Sequence, residues 1–299
     1  MNSNANEREL TGIILSTRPV DFPEDGHSVC FTRDALEGVA AQINERQIPL
    51  NREHLRFVPP LGHVTSAQVE EAEDGEFELH VKGTYVTQTV EERDLDLSLS
   101  SDGLLNAADV QLQINVEFTP RNFDPDVATE IADHLGDKAR QNERWAELPP
   151  LEFALVVPML WGAVRFAGAF FDALGQAAGQ SLASKVASWC RRSRQPERVP
   201  VIAIYFEMPN GRFVSGYSIS SGRDAESAVS QLLQHAECLA EIAGFLSQSQ
   251  ILPGMRDAAF FLQDGEWQLG WWNDDRNVYE TSWFRGNRPD LSQFLDGPE

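Results

Sequence analysis

In the N-terminal part of the chain, apolar residues recur mostly at every second position, the period of a half-buried strand. Residues 10–16, 64–70, 76–81 with a continuation to 86, 95–99 and 110–118 fit that pattern, and Glu73-Asp74-Gly75-Glu76 supplies a hairpin turn. One helix interrupts the strands. Thr32 suits an N-cap, and Leu36, Val39, Ala40 and Ile43 then fall on one face over residues 33–45. The pattern changes after Asp124. Acidic residues come first and Lys138, Arg140 and Arg144 last, the order a helix dipole favours, so a helix is expected over 124–145, ended by Pro149-Pro150. Residues 151–157 read as a strand and 159–189 as an Ala/Gly-rich helix. The basic, Pro-terminated stretch 191–196 reads as a linker. Beyond it, strands are expected at 199–208, 213–220, 258–262, 265–272 and 278–284, with a helix at 224–247.

These elements predict an α+β protein. An N-terminal β-barrel with flanking helices spans 1–158, an Ala/Gly-rich connecting helix and basic linker spans 159–196, and a small α/β two-layer domain of ββαβββ order spans 197–299. The length of 299 residues agrees with more than one core. The formal net charge is −22, from 24 basic and 46 acidic residues, which argues against a phosphate-tracking nucleic-acid binder. Most of that charge lies in residues 1–150, a solvated acidic surface or an attractor of a basic partner. Cys30, Cys190 and Cys238 are too scattered for a disulfide framework or a zinc ribbon. The polar start MNSNANEREL lacks the apolar stretch of a secretory signal, so a cytoplasmic location is expected.

Three stretches carry candidate chemistry. They are Ile48-Pro-Leu-Asn-Arg-Glu-His54, Pro60-Leu-Gly-His-Val64 and Asp74-Gly-Glu-Phe-Glu-Leu-His-Val-Lys-Gly83. Together with Leu151-Glu-Phe-Ala-Leu-Val-Val-Pro158, they resemble the prohead (capsid maturation) proteases of tailed phages, β-barrel serine peptidases related in fold to herpesvirus assembly proteases. The resemblance covers about residues 10–158. It implies His54 as the catalytic base and Glu152 as the carboxylate that orients it. The nucleophile strand best matches Ile114-Asn-Val-Glu-Phe-Thr-Pro120, which puts Asn115 where the family has serine and Glu117 where it has glycine. An amide cannot be activated as a nucleophile by imidazole, and a glutamate there disfavours the oxyanion. The expected protein is therefore a degenerate relative used in protein recognition or assembly, with a protein or peptide partner, in a phage-related or antiphage-defence setting that the family alone implies.

Two other readings stand beside it. Leu97-Ser98-Leu99-Ser100-Ser101 can serve as the nucleophile strand, giving an active serine endopeptidase that uses Ser98 or Ser100 with His54 and Glu152. Residues 153–189 include a long stretch with Arg165 as its lone charge between 153 and 171, which allows peripheral membrane contact; the plainer alternative is a helix buried between the halves or against a second copy in a homo-oligomer. His63 and His80 near His54 match no metal motif, and neither a metal nor a cofactor is expected. Trp271 and Trp272 are consecutive on a strand and point to opposite faces, so one of them can face solvent, as at an interface; core packing over the helix is the more common explanation.

Overall fold

The computed structural model describes residues 8–22, 27–45, 48–50, 56–85, 87–90, 115–141, 151–158, 176–194, 196, 198–208, 212–218, 224–248, 252, 254–274, 277–289 and 294. It is a mixed α+β structure in two compact units. One is Met1–Arg52, Val58–Thr89 and Asn273–Tyr279; the other is Glu53–Phe57, Val90–Trp272 and Glu280–Glu299. This grouping differs from boundaries at 158 and 196.

The smaller unit holds β1 (Arg8–Ser16), β2 (Val20–Phe22), β3 (His27–Val29), α1 (Arg33–Glu45), β4 (Ile48–Leu50), β5 (Gly62–Glu71) and β6 (Phe77–Tyr85). Its main sheet runs β1-β6-β5-β4 with antiparallel neighbours. Among the described residues this sheet does not close on itself, and no closed barrel is seen there. The helix begins where the cap predicts: the Ala35 amide donates to Thr32 Oγ1 at 3.2 Å. Leu36, Ala40 and Ile43 then bury against Val64, Ala67, Leu79 and Val81. A register shift in β5 between Val64 and Ser66 is bridged from the helix. There Asn44 Nδ2 donates to Ala67 O at 2.8 Å and the Ala67 amide donates to Asn44 Oδ1 at 2.9 Å. Thr32→Ala is expected to cost about 1 kcal/mol through its lost cap, read as a lower urea midpoint for the transition that includes α1.

The larger unit holds β8 (Asn115–Phe118), α2 (Pro125–Leu135), β9 (Ala139–Gln141), β10 (Glu152–Pro158), α3 (Gln176–Arg191), β11 (Val201–Met208), β12 (Arg212–Ser218), α4 (Ala225–Gln248), β13 (Asp257–Gln263) and, up to Trp272, β14 (Glu266–Asn273); β15 (Val278–Thr281), whose first two residues are grouped with the smaller unit, leads into α5 (Ser282–Asn287), and β7 (Thr87–Val90) precedes β8 in the chain. The sheet order is β15-β14-β13-β12-β11-β10-β8-β9. The pairs β10/β11, β12/β13 and β8/β9 are parallel, whereas β8/β10 and β11/β12 are antiparallel. The strand expected to end a barrel and the strand expected to begin a C-terminal domain are thus hydrogen-bonded neighbours, Glu152 opposite Val201 through Pro158 opposite Glu207.

Alternation sorts the two faces of this sheet. One face presents Phe153, Leu155 and Val157 with Ile202, Ile204, Phe206 and Val214. It is covered by helices: Trp189 of α3 stacks on Phe153 at 6.1 Å, and a Cβ on Gly216 would lie 2.1 Å from the Leu239 side chain of α4. That approach leaves room only for glycine. The other face carries the polar residues described below.

Three further expectations change. The helix from 124 stops at Leu135, because Gly136 takes φ +54°, and β9 follows where more helix was expected. The strand expected at 278–284 stops at Thr281, whose Oγ1 accepts from the Phe284 amide at 3.2 Å and so caps α5. The linker candidate is docked instead: Arg194 N donates to Asn122 O at 2.8 Å and Arg192 pairs with Glu130 at 2.6 Å. Trp271 and Trp272 are each only 5% exposed, which agrees with core packing and not with an exposed Trp at an interface.

For the membrane reading, 153–157 are buried in a strand paired on both edges. No helix among the described residues is long and apolar enough to cross a membrane. Residues 159–175 lie outside the described residues.

Candidate functional site

The register puts Asn115 and Glu117 of β8 opposite Val156 and Ala154 of β10, so both share a face with Glu152. Tyr205 is opposite Val156, and Ser215 and Tyr217 of β12 are opposite Tyr205 and Ala203, which extends that face across four strands. Asn115, Glu117 and Glu152 are therefore brought onto one surface. His54, Ser98 and Ser100 lie outside the described residues.

Glu152 is 4% exposed, and a carboxylate that deep needs hydrogen bonds. Tyr205 Oη donates one to Glu152 Oε1. Between the two on this face stand Ala154 and Ala203, directly paired, whose short side chains leave room for the Tyr205 ring to lean along the strand. Burial, with the Glu152 carboxylate beside it, pushes the Tyr205 phenol well above its ordinary range. Burial and the same carboxylate raise Tyr217 too. Both tyrosines stay protonated at neutral pH, so Tyr205 is a donor and not a base. The two rings meet edge to face at 6.0 Å.

Arg56 covers this pair from above. Its guanidinium lies 5.2 Å from the Tyr205 ring centroid, and Nη1 pairs with Glu117 Oε1 at 3.1 Å. The side chain is 42% exposed, so the pair with Glu117 is a modest contributor. Its neighbour Phe57 fixes the approach of this segment. Phe57 packs on Phe294 at 4.9 Å and Tyr217 at 6.1 Å, and its carbonyl accepts from Trp271 Nε1 at 3.0 Å.

Asn115 is 4% exposed beside Arg140; with its amide oriented oxygen toward the guanidinium, the orientation that satisfies both groups, it accepts from Nη2 at 3.2 Å and Nε at 3.3 Å. Arg140 comes from β9, the strand formed by the early end of α2. Position 115 is thus an amide held by a guanidinium, and Glu117 on the same face is ion-paired. Such a surface has donors and acceptors matched to one another; it offers no hydroxyl at 115 to activate.

Burial pushes the Cys190 thiol up to about 12, with Arg191 opposing weakly, so it is an inert core residue. In the smaller unit, His63 is 1% exposed, with its backbone opposite Thr84, whereas His80 is opposite Gln68 and its Nε2 lies 3.1 Å from Glu78 Oε2. The two histidines are far apart in register. Among the described residues, no group of three His, Cys, Asp or Glu side chains is arranged to hold a metal ion.

The sequence reading singled out Asn115 and Glu152 but missed Arg56, Arg140, Tyr205 and Tyr217. A signal existed for the tyrosines: each interrupts a strand of otherwise small or apolar residues, and a buried phenol needs a partner. No family model, curated protein or solved structure matches the chain.

Proposed function

We propose that this is a non-catalytic protein-recognition or assembly protein, a degenerate relative of the phage prohead proteases with a protein or peptide partner. One observation carries the reading: the buried carboxylate Glu152 is engaged by the Tyr205 hydroxyl, on a face where the residue at the nucleophile position is an amide bound to Arg140. A peptidase of this kind needs an imidazole aligned by that carboxylate and a hydroxyl within its reach. Tyr205, Arg56 and Arg140 instead serve the charges of this face internally, which suits a rigid scaffold that presents other surfaces. A phage-related or antiphage role belongs to the proposal through the family resemblance alone.

The test is covalent labelling of the full chain with a fluorophosphonate, read by intact mass. No adduct is expected after prolonged exposure to excess reagent. An adduct that disappears in Ser98→Ala or Ser100→Ala would replace the proposal with an active serine endopeptidase using that serine with His54 and Glu152.

A further inference from the structure

We propose that β1 is a docking edge for an extended segment of another protein. That segment is β-branched in its centre, carries arginine and lysine at its N-terminal end, and adds to the sheet antiparallel to β1. This rests on the protein-recognition reading above and names its surface and partner chemistry.

Among the described residues, β1 has a hydrogen-bonded neighbour on one side only, β6. A nine-residue edge strand leaves a row of backbone donors and acceptors ready to pair with an incoming chain. Natural edges are commonly blunted by a lysine, a proline or a covering element. Here the middle of the strand reads Thr11-Gly12-Ile13-Ile14-Leu15 instead. Ile13 and Ile14 are 52% and 46% exposed, the exposed large hydrophobics among the described residues. Strict alternation would bury one of two consecutive residues. The register shift between Ile13 and Leu15 frees Ile14 from that rule, so both apolar side chains stay accessible.

Charge selects the occupant and its direction. The stretch Glu70–Glu78 contains six carboxylates and no basic side chain. It forms the end of the β5–β6 hairpin, and Ser16 is opposite Glu78, so this acidic end lies beside the C-terminal end of β1. Arg18 engages Asp74 and Glu78, Thr17 Oγ1 donates to Glu76, His80 Nε2 lies 3.1 Å from Glu78 and 3.9 Å from Glu70, and the Arg33 guanidinium sits 4.6 Å from the Phe77 ring centroid, but these groups are fewer than the six carboxylates. An antiparallel partner strand begins at this end, which is where its cations would sit. A second copy fits poorly. Antiparallel self-pairing sets the exposed Glu9 of one copy toward the acidic hairpin of the other, between two chains of net charge −22.

The full chain is titrated into a fluorescein-labelled peptide, Arg-Lys-Arg-Val-Thr-Ile-Thr-Val-Thr, and anisotropy is read. One control peptide carries the basic triplet at the C-terminal end, and another is N-methylated at alternate residues. Binding is expected to weaken about tenfold or more with either control, and likewise with the Ile13→Ser/Ile14→Ser chain. Both substitutions are charge-neutral and at exposed sites, so circular dichroism is expected to match the parent. Equal binding of all three peptides, an unaffected double variant, or no binding of the first peptide overturns the docking edge. Self-association in sedimentation that the double variant abolishes also overturns it, in favour of a second copy. None of these outcomes touches the non-catalytic reading, which fluorophosphonate labelling decides separately.

Discussion

Trp189→Ala is expected to lower the stability of the larger unit by about 4 kcal/mol, the usual cost of emptying a large aromatic site that cannot collapse. Trp189 is fully buried at the end of α3. It stacks on Phe153 of β10 with an interplanar angle of 22°, meets His134 of α2 at 5.5 Å, and donates from Nε1 to Glu130 at 3.1 Å. One side chain therefore holds α3, α2 and the sheet together, and its removal leaves a void with walls on three elements. The urea midpoint is the measurement, with the slope of the transition unchanged if the effect lies in the folded state. Trp189→Phe keeps part of the stack and loses the indole donor; a cost of about 2 kcal/mol is expected. Equal effects of the two substitutions would mean the hydrogen bond, not the packing, is what matters.

The second large effect concerns Glu152. Glu152→Ala is expected to cost about 3 kcal/mol, because it strands the buried Tyr205 hydroxyl and removes a negative charge facing Arg56. Glu152→Gln retains an acceptor, and about half that loss is expected. The diagnostic variant combines Glu152→Ala with Tyr205→Phe. It removes the orphaned hydroxyl along with its partner, so the double variant is expected to be less destabilised than the sum of the single ones. Strict additivity would show that Glu152 and Tyr205 are not coupled and would remove the main support for a structural role of the carboxylate. Chemical denaturation of the four proteins completes the cycle.

The legible part of the fold was local. Alternation located β1, β5 and β6, and the cap at Thr32 with the spacing of Leu36, Ala40 and Ile43 gave α1 its limits. What failed was long-range or conformational. Nothing between residues 124 and 145 except a single Gly136 marks where the helix stops, and the later arginines continue a helical charge pattern. Which strands become neighbours is a property of connections, and the parallel pairing of β10 with β11 spans a stretch with no pattern of its own that names a partner. The candidate site divides in the same way. Glu152 stood out because a carboxylate at the start of an apolar strand demands a partner. That Tyr205 donates to it, and that Arg140 engages Asn115, depends on pairings no local signal encodes.

The side-by-side course of β10 and β11 also shapes the protein's birth. Translation at about 5–20 residues per second delivers β11 some seconds after β10 has left the ribosome. Through that interval the segment Phe153-Ala-Leu-Val-Val157 has lost its solvent shield on neither side by pairing with β11, and β8 alone can occupy one flank. Until β11 arrives, the unpaired edge of this apolar strand is the kind of surface that self-associates and that chaperones shield.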